Sequence, residues 1–120
     1  GDKLECIVKT RAQAVKDMKA YALSARSKII KKMKNGKPAI KITWFDRNGK
    51  KLSFDGVEIQ RSTKRYSGFT KFFDSKTGRY YNTKIRSGNR YFYRVRGYID
   101  FNGEKIYTSW SYKAIRKWKK

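Results

Sequence analysis

The sequence predicts an all-β fold: seven short strands in an antiparallel sandwich or barrel, preceded by a short helix or linker. Three observations carry that expectation. From Ala20 onward, apolar and polar residues alternate with a period of two, which places one face of each run against a core. Asn-Gly pairs, other glycines and the single proline punctuate the runs as turns. Aromatic residues make up 16% of the chain, and their large buried area lets short strands build a core although 34% of residues are charged.

Residues 1–19 have a different texture. Leu4, Ile7, Val8, Ala12, Val15 and Met18 recur at three- and four-residue steps, as on one helical face, with Asp2 as N-cap; an extended linker is the alternative. Residues 20–118 then form the β domain. "AYALSAR" sets Tyr21, Leu23 and Ala25 against Ala22 and Ser24, and "KMKNGKP" follows as a basic turn. "AIKITWF" puts Ile40, Ile42 and Trp44 on one face, and "GVEIQRS" does the same with Val57 and Ile59. Between them, Asn48-Gly49 fits either a hairpin or a loop crossing between sheets. Shorter strands centre on Phe72 and Tyr80.

"RYFYRVRGY" opens the longest strand. Tyr91, Tyr93, Val95, Gly97 and Ile99 share one face, while Phe92, Arg94, Arg96 and Tyr98 share the other. Asn102-Gly103 then signals a two-residue hairpin, and the last strand runs through "EKIYTSWSYKAIRKW".

Length and charge bound the class. With 120 residues the chain fits one domain, and 32 Lys and Arg against 9 Asp and Glu give +23. Such a charge attracts polyanions: nucleic acid, anionic headgroups or acidic wall and matrix polymers. The absence of histidine removes Ser–His and Cys–His catalysis and histidine metal sites. Cys6 is the lone cysteine, so an intrachain disulfide is excluded. No apolar run is long enough to span a membrane. The chain begins with glycine and is read as a piece of a longer protein whose export signal lies elsewhere.

Over residues 20–118 these features resemble a fibronectin type III domain, an immunoglobulin-like sandwich. Ile40, Ile42 and Trp44 match the inward residues of that family's second strand, and Val57 and Ile59 those of the third. Ile85, Gly88 and Tyr91 fit its tyrosine corner, with isoleucine where leucine is usual. The resemblance implies that the Tyr91 hydroxyl satisfies a backbone group where the chain crosses between sheets. "VEIQRSTKRYSGFTKFF" and "NRYFYRVRGYIDFNGEKIYTSWSYKAIR" have the texture of the repeats in Gram-positive surface and secreted proteins. The family's integrin-binding Arg-Gly-Asp is absent; the nearest string is Arg96-Gly97-Tyr98.

"YTSWS" is similar to the Trp-Ser-x-Trp-Ser box of cytokine receptors' fibronectin domains, with Tyr107 and Thr108 in the first two places. That likeness implies an outward ladder in which Trp110 stacks on Arg94 and Arg96. Simple register from the Asn102-Gly103 hairpin pairs Val95 with Trp110 and turns the indole inward. A bulge near Ser109 turns it out, and the bulged arrangement is the expectation here.

Site candidates follow. Asp46, Asp55, Glu58, Asp74, Asp100 and Glu104 fall in no catalytic motif and are flanked by cations, which suits ion pairing more than proton transfer. Neither enzyme activity nor a metal or cofactor is expected. Lys28, Lys31, Lys32, Lys34 and Lys37 crowd the connection between the first two strands, and Lys113, Arg116, Lys117, Lys119 and Lys120 crowd the end; these ten are the candidate polyanion contacts. Tyr66, Phe69 and Phe73 either stack on sugars or a neighbouring domain, or cover the sandwich edge. The expected role is a monomeric, extracellular, non-catalytic spacer or interaction module within a larger bacterial surface or secreted protein. Its partners would be neighbouring domains and an anionic cell-wall polymer or carbohydrate, with a basic nucleic-acid-binding domain as the alternative.

Overall fold

The structure, a computed structural model, describes residues 9–119, with Lys71 and Phe72 described by their backbone alone. One helix and eight strands follow in order: α1 (Arg11–Lys19), β1 (Leu23–Ile30), β2 (Ala39–Asp46), β3 (Gly56–Ser62), β4 (Thr70–Ser75), β5 (Tyr80–Asn82), β6 (Arg90–Phe101), β7 (Glu104–Tyr107) and β8 (Ala114–Lys117). The strands form two sheets, β1-β2-β5 and β4-β3-β6-β7, with β8 also paired to β6. All of these pairings are antiparallel. The fold is the antiparallel sandwich expected, with eight strands where seven were expected because the last one breaks in two.

The break has a physical cause in the register. From the Asn102-Gly103 hairpin, Ile99 pairs with Ile106 and Phe101 with Glu104. Both turn residues have positive φ, 51° and 85°, as a two-residue turn of this hand requires. Beyond the break, Tyr93 pairs with Ala114, so two extra residues have entered the strand. The amides of Gly97 and Val95 meet side-chain hydroxyls instead of carbonyls: Gly97 N donates to Thr108 Oγ1 (3.1 Å) and Val95 N to Ser111 Oγ (2.9 Å). Tyr112 meanwhile leaves this sheet for the other one. Its N–H donates to Leu23 O (3.2 Å) and its carbonyl accepts from Ala25 N (3.4 Å).

Asn48-Gly49 lies in the loop that crosses from one sheet to the other, not in a hairpin. Asp46 organises that loop by accepting from Ala22 N (2.6 Å) and Lys50 N (2.8 Å). The carboxyl is held below its usual range: burial pushes it up, and the backbone N–H groups of Ala22 and Lys50 outweigh that.

The core holds Ile40, Ile42, Val57, Ile59, Tyr93 and Val95, all buried. Trp44 packs at its margin, partly buried rather than central. Tyr91 is buried, and its hydroxyl accepts from Arg86 N at 2.7 Å where the chain enters β6. Asn82 is fully buried between the sheets, with its Nδ2 donating to the Tyr93 hydroxyl at 2.7 Å. Burial pushes the Tyr93 phenol up to about 12.

The described helix begins at Arg11. Thr10 is the N-cap, accepting from Gln13 N at 3.1 Å. The expected cap Asp2 and the apolar positions Leu4, Ile7 and Val8 lie outside the described residues. Ala14 and Met18 bury a second cluster against Ile106, with Ile99, Phe101 and Phe54 around it. Ile99 therefore serves the helix contact rather than the main core. Arg11 adds a forked contact to Glu104 (2.9 and 2.7 Å).

Candidate functional site

Two surfaces bear on function: the outer face of the larger sheet and one end of the sandwich. Pairing places Gln60 beside Arg94 and Glu58 beside Arg96 on adjacent strands. The break in the last strand turns Trp110 outward over both arginines, 4.5 Å from each guanidinium. Phe69 lies 4.6 Å from Arg94, and Tyr107 lies 3.7 Å from Arg96. Lys113 extends the alternation, 5.6 Å from Phe69 and 4.8 Å from Tyr66. Rings and cations thus alternate along the face.

Polar partners fix the arginines. Arg94 Nε donates to Gln60 Oε1 at 2.8 Å, and Arg96 donates to buried Glu58 at 3.0 and 3.1 Å. Burial and the neighbouring Arg96 charge lower the Arg94 pKa. Phe92 and Tyr98, expected on the exposed face, do share it with the arginines but are buried, Phe92 under Arg65 and Tyr98 against Lys105 and Tyr107. Tyr98 lies across Gly56, where any Cβ would overlap its ring, and its hydroxyl donates to Asp74 (2.9 Å). Burial, and then that bond to Asp74, push its phenol up to about 12. Tyr66 and Phe69 end the ladder rather than cover the sandwich edge; Phe73 does reach the edge, 4.7 Å from Tyr80.

The second surface is a basic pole. Antiparallel pairing brings the β1–β2 turn, the β5–β6 loop and the end of β8 to one end of the sandwich. Trp118 ties two of these: its N–H donates to Asn89 O (3.0 Å), and its carbonyl accepts from Gly88 N (2.7 Å). In the turn, Gly36 adopts φ 82°, Met33 N donates to Lys37 O at 2.7 Å, and Lys37 N donates to Asn35 Oδ1 at 2.9 Å. Lys31, Gly36, Pro38, Ile85, Ser87 and Trp118 line a groove of about 420 Å³ between the three segments.

The ten candidate cations divide. Lys31, Lys32, Lys34 and Lys37 follow β1 into this turn, and Lys117 pairs with Arg90 just before Lys119, so these six meet at the pole. Lys28 is exposed on β1, opposite Lys41. Arg116 reaches from β8 to β1, donating to Ser27 Oγ (3.1 Å) and Ser27 O (2.7 Å), so its guanidinium joins the sheets. Lys113 belongs to the ladder instead. Lys120 lies outside the described residues. Lys84, Arg86 and Arg90 join the pole from the β5–β6 loop and β6, and sequence reasoning missed them. Their signal was present: three cations and no acid within "KIRSGNR".

The described acids keep away from this pole. Asp46 ends β2, Asp55 precedes β3, Asp74 and Asp100 lie near the ends of β4 and β6, and Glu104 begins β7, all toward the opposite end. Asp17 lies on α1, and Glu58 is paired to Arg96 within the sheet. Residues 18–45, 75–99 and 105–120 contain no acid. The charge of the described residues is therefore lopsided along the strand direction.

Several carboxylates have structural partners: Asp46 and Asp55 accept backbone amides, Glu58 and Glu104 pair with arginines, and Asp74 accepts from Tyr98. Among the described residues no group of three metal-ligating side chains converges, and no helix is long and apolar enough to cross a membrane.

No protein-family model matches the chain, and no curated protein matches it significantly. Solved structures do. A fibronectin-type-III-like protein from Clostridium thermocellum superimposes with a TM-score of 0.57 at 24% identity, covering 86% of this chain and 96% of that one. A human fibronectin type III domain solved in solution gives a TM-score of 0.62 at 12% identity, covering 99% of this chain and 87% of that one. Two antiparallel sheets in this strand order, together with these two likenesses, make the chain a fibronectin type III-like domain by fold.

Proposed function

We propose that the chain is a non-catalytic interaction module of an exported bacterial surface or secreted protein, and that its basic pole rests on an anionic cell-wall polymer while neighbouring domains do other work. The observation that carries this reading is the charge segregation: Lys31, Lys32, Lys34, Lys37, Lys117 and Lys119, joined by Lys84, Arg86 and Arg90, gather at an end where none of the described acidic side chains lies. A polyol-phosphate chain presents closely spaced charges, and neutralising several at once releases counterions. A fibronectin-like fold supports a module role, and the fold alone does not dictate the ligand.

Titrating the protein with purified wall teichoic acid over a salt series tests this. Binding should weaken steeply and log-linearly with salt, by about tenfold or more between 50 and 200 mM if several phosphates are engaged. Affinity that is absent at low salt, or tighter for unrelated duplex DNA than for the wall polymer, overturns it.

A further inference from the structure

The groove at the basic pole is not a plain phosphate cradle. Its wall carries Pro38, Ile85 and Trp118 beside Lys31 and Ser87. Trp118 and Ile85 are both half-buried, packed on the core while contributing to the groove. An apolar wall does nothing for a bare phosphodiester, whose oxygens want donors and charge. It suits a ring with an apolar face and polar edges, as small-ligand sites combine aromatic lining with a few placed polar groups. Lys31 lines it, and the three segments that form it also carry Lys34 and Lys37 in the turn, Lys84 and Arg86 in the loop, and Lys117 and Lys119 at the end. The site therefore pairs one apolar seat with cations on the segments around it.

Resting on the reading above, we propose that this groove seats a sugar substituent carried on a phosphodiester polymer: the ring lies against Trp118, Ile85 and Pro38, and the flanking phosphates meet the lysines. One occupant is favoured over single-stranded nucleic acid by the count of rings. Strand binders stack successive bases on successive aromatics, whereas among the described residues Trp118 is the one aromatic side chain lining this groove. Duplex nucleic acid hides its ring faces altogether.

The test compares four probes on the unmutated protein by calorimetry at fixed salt: glycosylated wall teichoic acid, the same preparation stripped of its sugars, inorganic polyphosphate, and a single-stranded oligonucleotide. Glycosylated polymer should bind about tenfold tighter than stripped polymer, with polyphosphate and oligonucleotide no better than the stripped form. The Trp118 indole N–H resonance should move with the glycosylated probe and stay in place with polyphosphate. Trp118→Ala should abolish the sugar preference; because that ring also packs on the core, Trp118→Phe serves where the alanine variant does not fold, and should reduce the preference. Lys31→Gln with Lys117→Gln should weaken both polymer forms about tenfold, while Lys76→Gln with Lys105→Gln, at the opposite end, should change neither. Equal affinity for glycosylated and stripped polymer, or a preference that survives at Trp118→Ala, overturns the groove assignment and leaves polymer binding standing. An oligonucleotide that equals the glycosylated polymer also overturns it. Failure to bind either polymer form overturns both readings.

Discussion

Removing one rung of the ladder shows what it contributes. Trp110 lies 4.5 Å from Arg94 and 4.5 Å from Arg96. Arg96 is a poor partner for a double-mutant cycle, because its removal also breaks the ion pair to buried Glu58, and breaking a buried pair costs roughly 3–5 kcal/mol by itself. Arg94 is the cleaner choice, since its polar partner is neutral Gln60. Arg94→Met keeps most of the stem and deletes the cation. An exposed cation–π contact is worth about 0.5–1 kcal/mol and a desolvated one about 2; burial already lowers the Arg94 pKa, so the Arg94–Trp110 coupling should come to about 1 kcal/mol. Trp110→Ala alone should cost more, about 2–3 kcal/mol, because it loses a second such contact and the half-buried area of the ring. Urea denaturation followed by circular dichroism for the parent, both single variants and the double variant measures the coupling. A value below roughly 0.3 kcal/mol, within the usual range of additivity, would mean that the rings merely lie near the arginines.

The remaining expectations concern buried polar groups and pH. Tyr91→Phe removes the acceptor of Arg86 N and should cost about 1–3 kcal/mol in urea; an unchanged midpoint would deny the hydroxyl its anchoring role. Thr108→Val and Ser111→Ala each leave a buried amide, Gly97 N or Val95 N, without its hydroxyl, so each should cost about 1–3 kcal/mol and speed exchange of that amide selectively. Tyr93 and Tyr98 both titrate near 12 when folded, against about 10 when unfolded. The folded state therefore holds their protons more tightly: their contribution is complete below about pH 10 and disappears as pH rises toward 12. The urea midpoint should fall across that window, less steeply in Tyr98→Phe, and identical alkaline slopes would contradict the assignment.

Much of the fold could be read from alternation. Ile40 and Ile42, Val57 and Ile59, and Tyr91, Tyr93 and Val95 are core residues because a period of two leaves them nowhere else to face. Positions where a side chain has two options were harder. Tyr98 and Phe92 sit on the arginine face yet are buried, with Lys105 and Tyr107 against Tyr98 and Arg65 over Phe92, none of which the alternation reveals. Thr10 caps α1, whose Met18 docks on Ile106, while the expected cap Asp2 lies outside the described residues. The pole was the least legible part. Its lysines are separated by up to 88 residues, Lys31 to Lys119, so their meeting depends on pairings such as Arg90 with Lys117 that no local pattern encodes. Arg116 illustrates the limit: it has the charge of a ligand contact and the bonds of a structural strut.

The crossing of Tyr112 to β1 gives the two sheets unequal margins. Along that side the sandwich is bound like the spine of a book, by backbone bonds at Leu23 and Ala25 and by the Arg116 strut. Along the other, β4 and β5 belong to different sheets, and the Phe73–Tyr80 ring contact spans the seam. Thermal breathing should therefore start at the fore-edge, so that amides of β4 and β5 exchange before those of β1 and β8, and a pull that loads the spine should meet the greater resistance.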